Sequence, residues 1–169
     1  RAELGTIGSG YEKIIMPDGG MRNPVTEESL IVREVEPGVK RSRLNTHIDG
    51  MDVFSLSTKQ DPISIKTVLE KSNVSIDDID CFAFHQTNLF LSERVRKIMK
   101  IDASKVPYSL KDFANTSSAS IPLTLVTERR EELKSQPMKI VGCALGVGLS
   151  YGACYFETDK IIVPELIEY

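Results

Sequence analysis

The stretch from Cys81 to Ser120 constrains this chain more than any other. It carries two short polar islands, His85-Gln86-Thr87-Asn88 and Asn115-Thr116-Ser117-Ser118, each reached from an apolar run. Cys81-Phe82-Ala83-Phe84 reads as a short buried strand that delivers His85 at its end. Phe113-Ala114 leads into Asn115, and Ser118-Ala119-Ser120-Ile121-Pro122-Leu123 then opens a helix. A strand end and a helix start are places where side chains converge on a cleft without disrupting a core.

Composition narrows the setting of that stretch. A chain of 169 residues fits one domain with a sizeable core, and 41% hydrophobic with 27% charged residues is an ordinary globular balance. The net charge of -3 gives no basic face for nucleic acid in the totals. No apolar run is long enough for a membrane span, and no signal-peptide pattern is present. The expectation is a cytoplasmic protein without nucleic-acid or membrane partners. Cys81, Cys143 and Cys154 sit in apolar runs with no CxxC pair, which predicts buried free thiols and no disulfide or metal site. The chain begins at Arg1 inside what reads as a packed element, Ala2-Glu3-Leu4-Gly5, so a fragment or processed chain is expected.

In chain order, residues 1–27 are loop-rich, with Tyr11 to Met16 as a short strand between turn signals. Residues 28–47, with Glu36-Pro37-Gly38, read as a surface connection. A helical pattern begins near Gly50 and breaks at Asp61-Pro62, where an N-cap and a first-turn proline mark a fresh helix to about Lys71 with Ile65, Val68 and Leu69 on one face. After Asn88 comes a basic amphipathic helix. Leu91, Val95, Ile98 and Met99 should face the core, with Arg94, Arg96, Lys97 and Lys100 mostly opposite. That charge run is either a solvated face or a docking rim for an anionic partner. Lys105 to Leu110 reads as a strand, and a helix runs from near Thr116 to about Leu133. Met138 to Leu145 and Leu149 to Glu157 form a β-hairpin closed at Gly146-Val147-Gly148, with Gly152-Ala153 allowing close backbone approach. Lys160 to Tyr169 is a short apolar strand or tail. The order predicts an α/β layer fold with a mixed sheet.

The chemistry concentrates on His85 and Asn115. An imidazole N–H and an amide NH2 are neutral donors, and two such donors converging on one oxygen stabilise a carbonyl that becomes negative, as in enolate formation from a thioester. Each residue also has an ordinary alternative. His85 could be satisfied by backbone groups, and Asn115 could cap the following helix. His47 has no such context and reads as surface. Gly146-Val147-Gly148 precedes a strand, which excludes a dinucleotide phosphate loop and leaves a tight turn whose backbone lines a pocket.

Four motifs together resemble the ketoacyl-acyl carrier protein synthase III family. His85-Gln86-Thr87-Asn88 is similar to its His-Gln-x-Asn motif, and Ala114 to Pro122 to its Gly-Asn-Thr-Ser-x-Ala-Ser-x-Pro motif. Gly146 to Ala153 resembles its glycine-rich ending, and Gly50-Met51-Asp52-Val53-Phe54 its Gly-Asn-Glu-Val-Phe stretch. The four occur in the family order between about residues 50 and 157, with His85 and Asn115 at the family spacing of thirty residues.

The resemblance implies a thiolase-like fold of two similar halves, of which this chain is the C-terminal half. A cysteine of the other half is acylated. His85 and Asn115 polarise a malonyl thioester carbonyl during decarboxylation, and the enolate attacks the acyl-cysteine. Gly146, Val147 and Gly148, with Asn88 and Phe90, would line the substrate path. Arg94, Arg96 and Lys97 would dock the acyl carrier protein. Coenzyme A or the carrier supplies phosphopantetheine with its substrate, so no resident cofactor is implied, and the assembly is a homodimer. The chain departs from the pattern in three respects. The three cysteines match strand positions and not the family's nucleophile. Phe90 stands where well-known members carry an arginine. Met51 and Ala114 replace an asparagine and a glycine. The alternative readings are a non-catalytic module that binds a carrier protein or pairs with a separate catalytic half, and an enzyme of specialised acyl transfer.

Overall fold

The structure is a computed structural model and describes residues 1–167. Along the chain come β1 (Ala2–Thr6), β2 (Ile14–Ile15), β3 (Arg33–Glu36), β4 (Val39–Arg41), β5 (His47–Ile48), α1 (Gly50–Ser72), β6 (Cys81–Phe84), α2 (Leu89–Met99), α3 (Leu110–Phe113), α4 (Ser120–Glu128), α5 (Arg130–Ser135), β7 (Met138–Gly146) and β8 (Ser150–Thr158). The chain forms two compact units. One comprises Arg1–Gly5, Phe54–Leu145 and the chain from Tyr151 onward, the other Thr6–Val53 and Gly146–Ser150.

The first unit is built on a sheet of order β1-β8-β7-β6. β6 and β7 are parallel, with Cys81 opposite Ile140 and Phe84 opposite Cys143. The tight link from β7 to β8, its neighbour in the sheet, requires an antiparallel pair, so the sheet is mixed as expected. Side chains alternate across a strand, and β6 is buried along its whole length. Phe82 and Phe84, with Val141 and Cys143, pack with Ile65, Val68 and Leu69 of α1 and Leu91, Val95 and Met99 of α2. Cys81 and Ala83, with Met138 and Ile140, pack with Leu133 of α5 and the partly buried Ile121 and Leu125 of α4. Helices therefore cover both faces, which is what an apolar run without alternation demands. Gly152 permits the edge strand to approach, since a Cβ there would stand 2.5 Å from Leu4 Cδ2.

Several local expectations are corrected. α1 is one helix with Pro62 inside it, not two helices meeting at Asp61-Pro62. Ser57, Asp61, Ser64, Ile65 and Val68 form one buried stripe at helical spacing across the proline. Pro62 removes a single backbone hydrogen bond, and burial of the continuous stripe outweighs that local loss. The stretch from Lys105 to Leu110 forms no strand. It holds the end of a 3-10 turn (Ala103–Lys105), an extended link and the start of α3. Pro107 removes a ladder donor there. The long helix expected from Thr116 is a 3-10 turn followed by α4 and α5. Ser117 has φ +55°, which an α-helix does not admit, and the chain bends at Arg129 (φ -131°). Ile98 is exposed, because the buried row of α2 runs Leu91-Val95-Met99 and leaves it at the edge. Residues 160–167 form no strand, and the last two positions of that expected tail lie outside the described residues.

The second unit has little apolar core. Its elements are the antiparallel pairs β2/β5 and β3/β4. The turn Pro37-Gly38, with Gly38 at φ +78°, makes residues 33–41 a hairpin and not a plain surface connection. Tyr11 to Met16, expected as a strand, is a 3-10 turn followed by the two residues of β2. The centre of this unit is polar. Buried Asp18 accepts from Arg43 Nε at 2.7 Å, Arg43 Nη2 at 2.8 Å and Ser29 Oγ at 2.7 Å. The Arg43 guanidinium, then the Ser29 hydroxyl, hold the Asp18 carboxyl below its ordinary range. Met21, Leu30, Val32 and Val35 of this unit are exposed.

Candidate active site

β6 places the first polar island. Its ladder with β7 continues past the strand end, where the His85 N–H donates to the Cys143 carbonyl at 2.8 Å. His85 is half-buried, and burial lowers its pKa, so the imidazole is neutral near pH 7. Its Nδ1 lies 2.6 Å from Ser120 Oγ, and the Gln86 N–H donates to the same oxygen at 3.3 Å. Ser120 is the first residue of α4 and the seventh of the second motif, so this hydroxyl joins the second motif to the first island.

A buried polar ring closes the junction. Gln86 Nε2 donates to the Phe84 carbonyl (2.8 Å), and its Oε1 accepts from the Ser109 N–H (3.1 Å). Thr124 Oγ1 donates to the Ser120 carbonyl (2.8 Å), which leaves the Ser109 hydroxyl to donate to Thr124 Oγ1 (2.6 Å). Gln86, Ser109, Ser120 and Thr124 are all at most 1% exposed. Buried polar groups persist only when partnered, and each of these finds its partner within the ring.

The second island is held differently. Asn115 is exposed, and its Oδ1 accepts from the Ser117 N–H at 2.9 Å. An N–H can only donate, so this turn engages the amide oxygen and not the NH2. The residue before it, Ala114, has φ +54° and ψ -149°, a conformation that suits glycine. The glycine of the resembling motif therefore has a backbone reason, and the alanine here is strained.

Behind His85 lies a small cavity of about 10 Å³, room for about one water. Asp61, Ser92 and Cys143 share its lining with His85. Asp61 Oδ1 and Ser92 Oγ are buried without hydrogen-bond partners among the described residues, while Asp61 Oδ2 accepts from Ser57 Oγ at 2.5 Å. Burial pushes the Asp61 carboxyl up to about 6 against that hydrogen bond. A far larger hollow, about 750 Å³, opens between the C-terminal ends of α1 and α2, among Lys66, Glu70, Asn73, Ile98 and Lys100. It contains none of the motif residues, whereas the small cavity is lined by His85 and Thr87 of the first motif.

The family model for the C-terminal part of 3-oxoacyl-[acyl-carrier-protein (ACP)] synthase III matches residues 69–158. The chain belongs to this family. A beta-ketoacyl-[acyl-carrier-protein] synthase III of the red alga Porphyra umbilicalis is 40% identical over 107 residues, covering 63% of this chain and 32% of its own. One of Clostridium acetobutylicum is 29% identical over 160 residues, covering 95% of this chain and 46% of its own. The crystal structure of a 3-oxoacyl-(acyl-carrier protein) synthase from Burkholderia xenovorans superposes with a TM-score of 0.84 at 28% identity, covering 96% of this chain and 45% of that one. The chain thus spans less than half the length of each of these relatives. The fold is that of the synthase III structures, an α/β thiolase-like half.

The remaining expected site residues of this synthase III relative fall as follows. Asn88 caps α2, accepting from the Leu91 N–H at 2.8 Å. Phe90 is 73% exposed and stacks on Phe54, the last residue of the Gly50–Phe54 stretch, with ring centroids 5.5 Å apart. Arg94 and Lys97 are exposed. Arg96 is engaged within the fold, donating to Glu93 through Nε (2.7 Å) and Nη2 (2.8 Å) and to the Ile101 carbonyl (2.8 Å). Gly146, Val147 and Gly148 form the β7–β8 turn in the second unit, with Gly148 at φ +117°. Of the cysteines, burial pushes Cys81 up to about 11 and Cys143 well above its ordinary value, the opposite of what a nucleophilic thiol needs. No group of three or more metal-ligating side chains occurs among the described residues, and no helix is long and apolar enough to cross a membrane. Ser109, Ser120 and Thr124 were not legible as site residues. Lone hydroxyls carry no local signature when their partners lie 15 or more positions away.

Proposed function

We propose that this chain supplies the oxyanion half of a decarboxylating condensation between an acyl thioester and malonyl-acyl carrier protein, the initiating step of fatty acid synthesis. The malonyl thioester carbonyl sits between the His85 ring N–H and the Asn115 amide. Loss of CO2 moves the electron pair of the breaking C–C bond into the carbonyl, and the two neutral donors stabilise the resulting enolate oxygen. The enolate carbon then attacks an acyl group carried on a cysteine outside these residues, and the new C–C bond displaces the cysteine thiolate. The observation that supports the reading is the hydroxyl of Ser120, a residue of the second motif, in contact with both His85 and Gln86 of the first.

On this reading, His85 and Asn115 are catalytic, and Asn88 and Phe90 line the path of the phosphopantetheine arm. The exposed cations Arg94 and Lys97 meet the acidic carrier protein, with Arg96 bracing the helix beneath them. Coenzyme A thioesters and acyl carrier protein are the partners, no cofactor resides in the protein, and the assembly is a cytoplasmic homodimer. The test is product formation by the intact protein from acyl-coenzyme A and malonyl-acyl carrier protein. A 3-oxoacyl-carrier product is expected. Carrier-protein binding with neither decarboxylation nor product would replace this reading with a non-catalytic binding module.

A further inference from the structure

Resting on the assignment of His85 above, we propose that Ser120 is a positioning residue that donates its hydroxyl proton to His85 Nδ1 and so holds the imidazole with its own proton on Nε2. The argument is a count of hydrogens around one buried oxygen. Ser120 is 1% exposed, so its hydroxyl must find its partners inside the protein. Two groups lie within reach of Oγ, namely the Gln86 N–H at 3.3 Å and His85 Nδ1 at 2.6 Å. The backbone N–H can only donate, and it occupies one lone pair of the oxygen. The hydroxyl hydrogen is then left with a single acceptor, Nδ1. The reverse arrangement, with Nδ1–H donating to Oγ, would strand the serine hydrogen in a buried site with no acceptor.

The rest of the ring keeps the oxygen where this requires. The Ser120 carbonyl is tied to Thr124, Thr124 to Ser109 and Ser109 to Gln86, the neighbour of His85. That circuit fixes the position of Ser120, and the two bonds at its Oγ set the tautomer. A neutral imidazole with its proton on Nε2 can donate to a substrate oxygen, and the other tautomer cannot. The lowered pKa of His85, caused by burial, acts in the same sense by keeping the ring neutral. Nothing in the motif assigns this task to Ser120 rather than to the three other hydroxyl residues between Asn115 and Ala119, and among them only Ser120 reaches the ring.

The chain has two histidines, His47 and His85, which makes imidazole ¹⁵N spectra of the intact protein readable, with exposed His47 as the internal control. In the wild type, His85 is expected to show a protonated Nε2 and an unprotonated Nδ1 shifted by an accepted hydrogen bond. In Ser120→Ala, the Nδ1 resonance should move to its unbonded position and the second tautomer should appear, with His47 unchanged. Ser120→Cys, a weaker donor of similar bulk, should fall between the two and serves if the alanine variant does not fold. A proton on Nδ1 in the wild type, or an Nδ1 resonance indifferent to both substitutions, overturns the proposal. The spectra need no turnover. If Ser120→Ala shifts the tautomer while His85→Ala decarboxylates like wild type, the role of His85 in the reaction fails and the Ser120–His85 coupling stands.

Discussion

His85 and Asn115 are presented by opposite means. His85 leaves the end of a strand buried on both faces and is gripped through Nδ1 by a ring of residues with almost no exposure. Asn115 stands on an exposed loop, oriented by one local turn and preceded by a strained alanine. The histidine's geometry therefore depends on the same contacts as the fold, whereas the asparagine's depends on three or four backbone dihedrals. Disturbing the first should cost stability and activity together. Disturbing the second should move activity with little change in stability, or the reverse.

The largest effect is expected from Gln86→Leu. It leaves the Phe84 carbonyl and the Ser109 N–H buried and unpaired, at about 1–3 kcal/mol each. Denaturant unfolding should show a loss of roughly 2–6 kcal/mol, accompanied by loss of activity. Full stability with lost activity would mean that the ring does not hold the fold on the histidine side.

Asp61, in the cavity lining behind His85, gives a pH-dependent version of the same test. Its carboxyl is raised to about 6 in the folded chain from 3.8, the ordinary value it regains on unfolding. Between those values the folded state binds more protons than the unfolded state, so stability falls as pH rises through that window and is level above it. The amplitude is roughly 3 kcal/mol, from about two pKa units. Asp61→Asn removes it, so the variant should gain on wild type by about that amount between pH 4 and pH 7. Parallel stability curves would show that Asp61 is not buried as described.

The smallest effect is expected on the asparagine side. Ala114→Gly frees a backbone at φ +54° of its Cβ and should stabilise the protein by about 1 kcal/mol, the strain relieved less the added freedom of glycine when unfolded. Thermal melts check the sign. A destabilised Ala114→Gly would mean that the loop does not hold this conformation in solution.

The same contrast explains what the sequence revealed. The core face Ile65-Val68-Leu69 and the doubly buried β6 are written in contiguous or periodic residues, and the structure bears them out. The Asp61-Pro62 signal expresses a local preference that a longer buried stripe overrides, so the helix start expected there does not occur. The extended link Val106-Pro107-Tyr108 has residues suited to a strand but no strand beside it, which only the tertiary arrangement decides. Ser120, Ser109 and Thr124 were illegible because a hydroxyl acquires meaning from a partner brought near by folding. Arg96 looked equivalent to Arg94 and Lys97 until Glu93 and the Ile101 carbonyl were seen to occupy it.

The most direct test of the account is malonyl-thioester decarboxylation by the intact protein with His85→Ala and Asn115→Ala, each checked for folding. Each substitution should cost on the order of two to three decades in rate, the effect of removing one oxyanion donor, with thermal stability falling more for His85→Ala than for Asn115→Ala. Decarboxylation unchanged in both folded variants would contradict the account.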